Sequence, residues 1–354
     1  MMNQESVILI VDDETHNLAA MRQILSDHYR LLFAHNGSEA LAATKRCRPA
    51  LILLDIQMPD MDGYAVCRAL KDNPDTEAIP VIFVTGLSDV GNEAQGFDAG
   101  AVDYSVKPLS PPIVRARVKT HLSLVRSSLL ERSYRDALTM LGEAGHYNDT
   151  DTGVHVWRMA SFARVLAEAC GWTAADCERL EQAAAMHDMG KIGIPGEILR
   201  KPAQLDEDEW EIMRAHSRIG HDILSMSQAP VFRLAAEIAL FHHERWDGSG
   251  YPEGLAGPAI PESARIVAVA DVFDALTMRR PYKDPWPINK ALETVRASSG
   301  SHFEPRLVEQ FEVVLPRILE IKAAWDAKEH NRSDSHRLHH HTWSCLYASF
   351  SGRR

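Results

Sequence analysis

The sequence predicts a multidomain chain in which an α/β doubly wound unit, built on a five-stranded parallel sheet, precedes an all-α helical bundle. Short, continuously apolar runs alternate with amphipathic stretches over roughly the first 110 residues. From about residue 146 the pattern turns helical almost throughout, with few β-branched runs and no second sheet evident. At 354 residues the chain exceeds one compact domain, and 45% apolar with 25% charged residues is ordinary for a globular protein.

The strands of the first unit are read from VILIV (7–11), LLFA (31–34), LILL (51–54), VIFVT (81–85) and YSVKP (104–108). Runs that are apolar at consecutive positions suit strands buried on both faces, and alternation with helices implies a parallel sheet with its functional groups at the carboxyl ends. Asp12, Asp13, Asp55, Thr85 and Lys107 fall at those ends. Ser110-Pro111-Pro112 can open a helix, after which Val114, Val118, Leu122, Val125 and Leu129 recur at the spacing of one helix face; Tyr134, Leu138 and Leu141 resume it. Two readings stay open there: one long helix able to pair with its copy in a homodimer, or the last helix of the first domain and a separate short one. Further helix breaks fall at Gly171, Gly193 to Gly196, Pro230, DGSGYP (247–252) and GPAIP (257–261). The resulting division is 5–122, a helical linker at 123–145, the bundle at 146–325, and a tail at 326–354 expected to be disordered, its His339-His340-His341 run included.

The formal net charge of −11 offers no general basic surface, and no basic recognition helix is found, which argues against nucleic-acid binding. Cys47, Cys67, Cys170, Cys177 and Cys345 are scattered without a CxxC pair, which disfavours a disulfide framework or a zinc ribbon. The longest early apolar run, 7–11, is too short to span a bilayer, and no signal pattern precedes it. The expected location is cytoplasmic, without membrane insertion.

Asp12, Asp13 and Asp55 can converge on one hard cation such as Mg²⁺, because carboxylate oxygens suit it. Asp55 could then attack a phosphoryl donor while Lys107 and the Thr85 hydroxyl stabilise the transferred oxygens. With DDE at 12–14, LLDIQMPDMDG at 53–63, VTG at 84–86 and YSVKP at 104–108, the segment 5–122 resembles the receiver domain of bacterial response regulators. That resemblance implies Asp55 as phosphoacceptor, Asp12, Asp13 and the Gln57 carbonyl around Mg²⁺, and Thr85 with Tyr104 as a switch pair. It also implies a cis peptide at Lys107-Pro108 and a sensor histidine kinase as partner.

The second constellation comprises Asp151, His155, His187, Asp188, His216, His242, His243 and Asp271. A single histidine on an apolar helix is usually a satisfied core residue; five imidazoles with three carboxylates reverse that expectation. Mixed N and O ligands suit Mn, Fe, Ni, Co or Zn, and two such ions bridged by Asp188 can generate a nucleophile and clamp a phosphodiester. Lys191, one helical turn past Asp188, can meet the anionic phosphate or cap a helix end.

DTGVH (151–155), HDMGKIGIP (187–195), AHSRIGHDIL (215–224), HHERWDGSGYP (242–252), ARIVAVADVFDALTMRRPYK (264–283) and HFEP (302–305) together resemble the HD-GYP domain, a subclass of the HD phosphohydrolases. The resemblance implies hydrolysis of cyclic di-GMP to pGpG, and in some members onward to GMP, under control of Asp55 phosphorylation. It implies His187, Asp188, His216, His242, His243 and Asp271 as metal ligands, Asp188 and Lys191 in catalysis, and Lys191, Arg280 and Lys283 on the substrate phosphate. The DGSGYP loop would offer a surface to GGDEF-domain proteins. Asp stands at 151 where the family motif often carries Glu; its shorter reach favours two metals over three, with Asp151 and His155 as third-site or supporting groups. Two alternatives remain: a phosphohydrolase preferring pGpG or another cyclic dinucleotide, and a non-hydrolysing cyclic di-GMP sensor or scaffold.

Overall fold

Two compact units divide the chain, Met1–Tyr134 and Arg135–Arg354. The computed structural model describes residues 6–86, 95–145, 153–278 and 284–350, of which 153–154 and 328–350 are described by backbone alone. Asp151, Arg280 and Lys283 lie outside the described residues.

In the first unit the strands β1 (Val7–Val11), β2 (Arg30–Ala34), β3 (Leu51–Asp55), β4 (Val81–Thr85) and β5 (Asp103–Val106) form one parallel sheet in the order β2-β1-β3-β4-β5. The continuous apolar runs have the expected cause: Leu9, Val11, Ile52, Leu54 and Phe83 pack on one face, and Ile8, Ile10, Leu51, Leu53, Ile82 and Val84 on the other. Register pairs Val11 with Leu54 and Asp55 with Val84, so the carboxyl ends of β1, β3 and β4 finish level. Strand order reverses beside β1, and the crevice at such a reversal is where open α/β sheets place their sites. Helices α1 (Thr15–Leu25), α2 (Gly37–Cys47) and α3 (Gly63–Lys71) join the strands. Asn36 and Asp62 cap α2 and α3 by accepting the Glu39 and Ala65 N–H groups.

Helix α4 is continuous over Pro111–Gly145, the first of the two alternatives, and the division between the units falls within it. Val114 and Val118 are buried in the first unit's core, Leu138 in the second's.

The second unit holds α5 (Gly153–Ala169), α6 (Ala174–Ala184), a 3₁₀ turn (Met189–Gly193), α7 (Gly196–Leu199), α8 (Glu207–Leu224), α9 (Pro230–Phe241), a second 3₁₀ turn (Gly257–Ala259), α10 (Glu262–Thr277), α11 (Ile288–Ala297) and α12 (Pro305–Phe350). Only isolated bridges, Asp247 with Ala256 and Ser299 with Phe303, stand in for strands among its described residues. Its core centres on Phe162, Ile238, Val269, Phe273 and Phe311. A capping box between Asp206 and Glu209 starts α8, and Pro230 occupies the first turn of α9, where its missing N–H has no cost. Helical backbone runs to Phe350, through most of the tail expected to lack order. No Gly or Pro follows Pro316 until Gly352, and extending a nucleated helix is far easier than starting one. No described helix is long and apolar enough to cross a membrane.

Candidate functional site

At the carboxyl end of the sheet, one carboxylate oxygen each of Asp12, Asp13 and Asp55 lie within 4.8 Å of one another. Lys107 Nζ is 2.9 Å from both Asp12 Oδ2 and Asp55 Oδ2. Burial opposes the charge on Lys107, but its hydrogen bonds to Asp55 and Asp12 outweigh that and raise its pKa. Burial raises Asp55, with Lys107 pulling the other way. One ammonium against three carboxylates leaves a negative centre suited to a hard cation. Asp12 Oδ1 accepts the Glu14 N–H at 3.0 Å and the Asn17 amide at 2.9 Å, which fix its orientation. Thr85 is buried at the end of β4, and Tyr104 on β5 meets Phe97 edge to face at 6.3 Å. The Gln57 N–H donates to Asp55 Oδ1 at 3.4 Å, and Lys107-Pro108 is cis. The structure therefore brings Asp12, Asp13, Asp55 and Lys107 together, with Gln57 against Asp55.

In the second unit, His187 follows the end of α6, Asp188 enters the 3₁₀ turn, His216 comes from the middle of α8, and His242 and His243 follow α9. Single ligand atoms of Asp188, His216, His242 and His243 lie within 4.8 Å of one another. Asp188 is the hub: its oxygens are 3.2 Å from His187 Nε2, 3.4 Å from His216 Nε2, 3.7 Å from His242 Nε2 and 2.7 Å from Lys191 Nζ. Asp271 of α10 approaches from the far side, its Oδ1 4.0 Å from His187 Nε2.

Helical backbone carbonyls set the tautomers. His187 Nδ1 donates to the Ala184 carbonyl at 2.9 Å, His216 Nδ1 to Met213 at 2.6 Å, and His242 Nδ1 to Ile238 and Ala239 at 3.0 and 3.1 Å. A carbonyl can only accept, so all three carry the proton on Nδ1 and turn Nε2 toward Asp188. Asp188 Oδ1 and His242 Nε2 are buried without a hydrogen-bond partner. His243 Nε2 faces His216 Nε2 at 3.1 Å, a separation at which two lone pairs repel unless a proton or cation intervenes.

The electrostatics follow. Burial would push His187 down, but Asp188 beside it lifts it to about 9. Burial would raise Asp188, but Lys191 and His187 hold it well below the usual carboxylate range. Burial keeps His216 neutral with a pKa lowered to about 4 and holds His243 well below the usual imidazole range. Buried neutral imidazoles, an ionised carboxylate and unsatisfied inward atoms fit divalent transition-metal ions. Metal binding would displace the proton that His187 holds.

His155, on α5, turns Nδ1 to the buried Asp274 carboxylate, three residues past Asp271 on α10. Arg158 Nε and Nη2 clasp the same carboxylate at 2.6 and 2.9 Å, and Arg158 Nη1 continues to Asp326 at 2.9 Å. Burial opposes ionisation of Asp274, yet His155 and Arg158 lower its pKa to about 2. The described geometry thus ties His155 to this ionic knot and does not include it in the tight four-residue group.

Three features escaped the sequence reading. Gly190 packs backbone to backbone on α8, where an added Cβ would stand 1.8 Å from the His216 carbonyl oxygen. Glu244 is buried and accepts the N–H groups of Glu253, Gly254 and Leu255 at 2.7, 3.1 and 3.0 Å, which closes the 247–252 loop back on the helix end. That closure stacks Tyr251 on His243 at 4.7 Å and 27°. Burial raises the Tyr251 pKa, so its phenol stays protonated at neutral pH. A Glu placed directly after His-His, ahead of a glycine-rich loop, was the only available sign.

Residues 126–307 match the HD domain family, and residues 8–119 match the response regulator receiver domain. The chain is 40% identical over 324 residues to the cyclic di-GMP phosphodiesterase response regulator RpfG of Xanthomonas campestris pv. campestris, covering 85% of this chain and 86% of that protein. It is 37% identical over 333 residues to a cyclic di-GMP phosphodiesterase of Thermotoga maritima, covering 86% and 89%. A 3'3'-cGAMP-specific phosphodiesterase 2 of Vibrio cholerae is 44% identical over 180 residues, 51% of this chain and 34% of that protein.

Proposed function

We propose, for a chain that belongs to the HD domain family and carries a response regulator receiver domain, that it hydrolyses cyclic di-GMP to pGpG and is regulated by phosphorylation of Asp55. The observation that carries the chemistry is the inward convergence of His187, His216 and His242 Nε2 on Asp188. Those residues with His243 and Asp271 would hold two divalent transition-metal ions, with His155 and Asp151 as supporting or third-site groups. Such ions supply Lewis acidity and a nucleophile at neutral pH.

The chain's own side chains do the rest. Lys191 Nζ, 2.7 Å from Asp188, is placed to neutralise the phosphate bound at the hub and the charge that develops on it. Tyr251 lends a protonated phenol to the same wall. Arg280 and Lys283 would hold the substrate phosphate. In the receiver domain Mg²⁺ would sit among Asp12, Asp13, Asp55 and the Gln57 carbonyl, with Lys107 and Thr85 on the phosphoryl oxygens and Tyr104 as the second switch residue. A sensor histidine kinase would supply the phosphoryl group. A cytoplasmic location, homodimerisation and contact with GGDEF-domain proteins through the 247–252 loop complete the reading.

A second substrate reading has one specific support, the 44% identity to a 3'3'-cGAMP-specific relative over the helical region. The deciding experiment is a panel of cyclic di-GMP, 3'3'-cGAMP and pGpG given to metal-loaded wild type beside His187→Ala. Fastest turnover of cyclic di-GMP, lost in the variant, is expected. Equal rates in wild type and variant would remove the assignment, and faster 3'3'-cGAMP cleavage would move it to that substrate.

A further inference from the structure

We infer that Trp210 and Arg214 form a base-and-phosphate platform that recognises the half of a cyclic dinucleotide not being cleaved. This deepens the proposed activity and rests on it. Both residues lie on α8, one turn apart, on the helix that also supplies His216 to the cluster. Arg214 Cζ is 6.0 Å from the centre of the Trp210 ring and 5.5 Å from that of Tyr251. Tyr251 in turn stacks on His243 at 4.7 Å. Trp210, Arg214, Tyr251 and His243 therefore form a ladder of ring and guanidinium contacts that begins at solvent and ends at a buried imidazole of the cluster.

Each rung has the character that recognition of a nucleotide requires. Trp210 is 45% exposed, so indole surface remains open beside the site. Of the two arginines on α8, Arg218 pairs with Glu253, while Arg214 is exposed and has no carboxylate partner among the described residues. In a chain of net charge −11, a guanidinium without an ion pair among the described residues, held beside Tyr251, is a selective place for a phosphate. The two rings hold Arg214 by cation–π attraction without consuming its N–H donors.

A cyclic dinucleotide presents two purines and two phosphates. While one phosphodiester meets the Asp188 hub, the other purine and phosphate must rest on the wall outside it. An aromatic face accepts any base by stacking, and a guanidinium fork accepts phosphate oxygens in pairs. Trp210 and Arg214 offer these two elements one helical turn apart.

The test compares metal-loaded full-length wild type, Trp210→Ala, Trp210→Phe, Arg214→Gln and Arg214→Lys on two diesters: cyclic di-GMP, and bis(p-nitrophenyl) phosphate, which has no purine and no second phosphate. Trp210→Ala and Arg214→Gln are each expected to raise KM for cyclic di-GMP about tenfold with kcat changed by less than about threefold. The loss of kcat/KM on cyclic di-GMP should exceed that on bis(p-nitrophenyl) phosphate by about tenfold, and Trp210→Phe should recover most of it. Equal losses on the two diesters, or a fall in kcat with KM unchanged, would overturn the platform. Should wild type bind cyclic di-GMP without cleaving it, the hydrolytic reading fails alone, and calorimetric Kd values still decide: a weaker Kd in Trp210→Ala supports the platform and an equal one rejects it. Absence of both binding and cleavage in wild type rejects the two together.

Discussion

At the carboxyl end of the five-stranded sheet, three carboxylates gather and two of them share one ammonium, whereas in the helical unit three imidazoles turn toward one carboxylate. The strand-end cluster is prepared by charge: Lys107 offsets part of the negative charge, and the remainder suits a hard cation. The helical cluster is prepared by tautomer. Carbonyls at Ala184, Met213, Ile238 and Ala239 accept the Nδ1 protons, so each of the three rings turns its Nε2 to the centre. Strand ends gather carboxylates around one lysine, and helical backbone supplies the carbonyls that orient imidazoles. The two kinds of secondary structure thus build two kinds of candidate metal site from their own backbone geometry.

The sharpest break of this contrast is at its hub. Asp188→Ala should lower cyclic di-GMP turnover by about 10³-fold or more and strip the bound metal, since it removes the carboxylate that the three Nε2 atoms face. Elemental analysis of protein purified without chelator should find about two ions per wild-type helical unit, following the two-metal reading above. Three would sink the two-metal preference.

The next largest effect is on stability. Asp274→Ala takes two of the ion-pair contacts from the buried Arg158, leaving it the half-buried Asp326, and should cost about 3–5 kcal/mol, or roughly 10 °C in Tm by calorimetry. Because the Asp274 pKa is depressed to about 2, its contribution is complete above the ordinary carboxylate range and is lost as pH falls through about 2. The wild-type advantage over the variant should therefore shrink between about pH 4 and pH 2. An advantage unchanged across that window would show that the ionic knot does not titrate as a unit.

Lys191→Gln should keep its metal yet lower kcat by about 10²-fold, read from initial rates beside metal content. Retained kcat would reduce Lys191 to a partner of Asp188. The smallest effect belongs to the strand-end site. Beryllofluoride, standing in for a phosphoryl group on Asp55, should shift wild-type turnover by about fivefold and leave Asp55→Asn unmoved. Identical rates and oligomeric state with and without it would reject the switch.

The two regions also differed in how much of each was legible beforehand. Strand runs such as LILL and VIFVT named the sheet because burial on both faces leaves an unbroken apolar signature, and the acids at strand ends came with it. The continuity of α4 across 111–145 was undecided because both alternatives share the same three-and-four periodicity. The tail's lack of obvious apolar partners suggested disorder, although nothing in it opposed extension of the preceding helix.

By itself, the sequence determined the fold class, the two candidate clusters and nearly all of their members, because residue type and local spacing carry that information. Tertiary structure alone decided which nitrogen each histidine presents, that Asp274 and Arg158 engage His155, and that Glu244 folds Tyr251 onto His243. It also decided that Arg214 lies against the Trp210 and Tyr251 rings. Periodicity extends over one helix or strand, whereas Asp188, His216, His242 and Asp271 meet only because four separate elements pack together. Backbone contact at Gly190 and the carbonyls of the helical backbone are properties of that packing, and no local pattern of side chains encodes them.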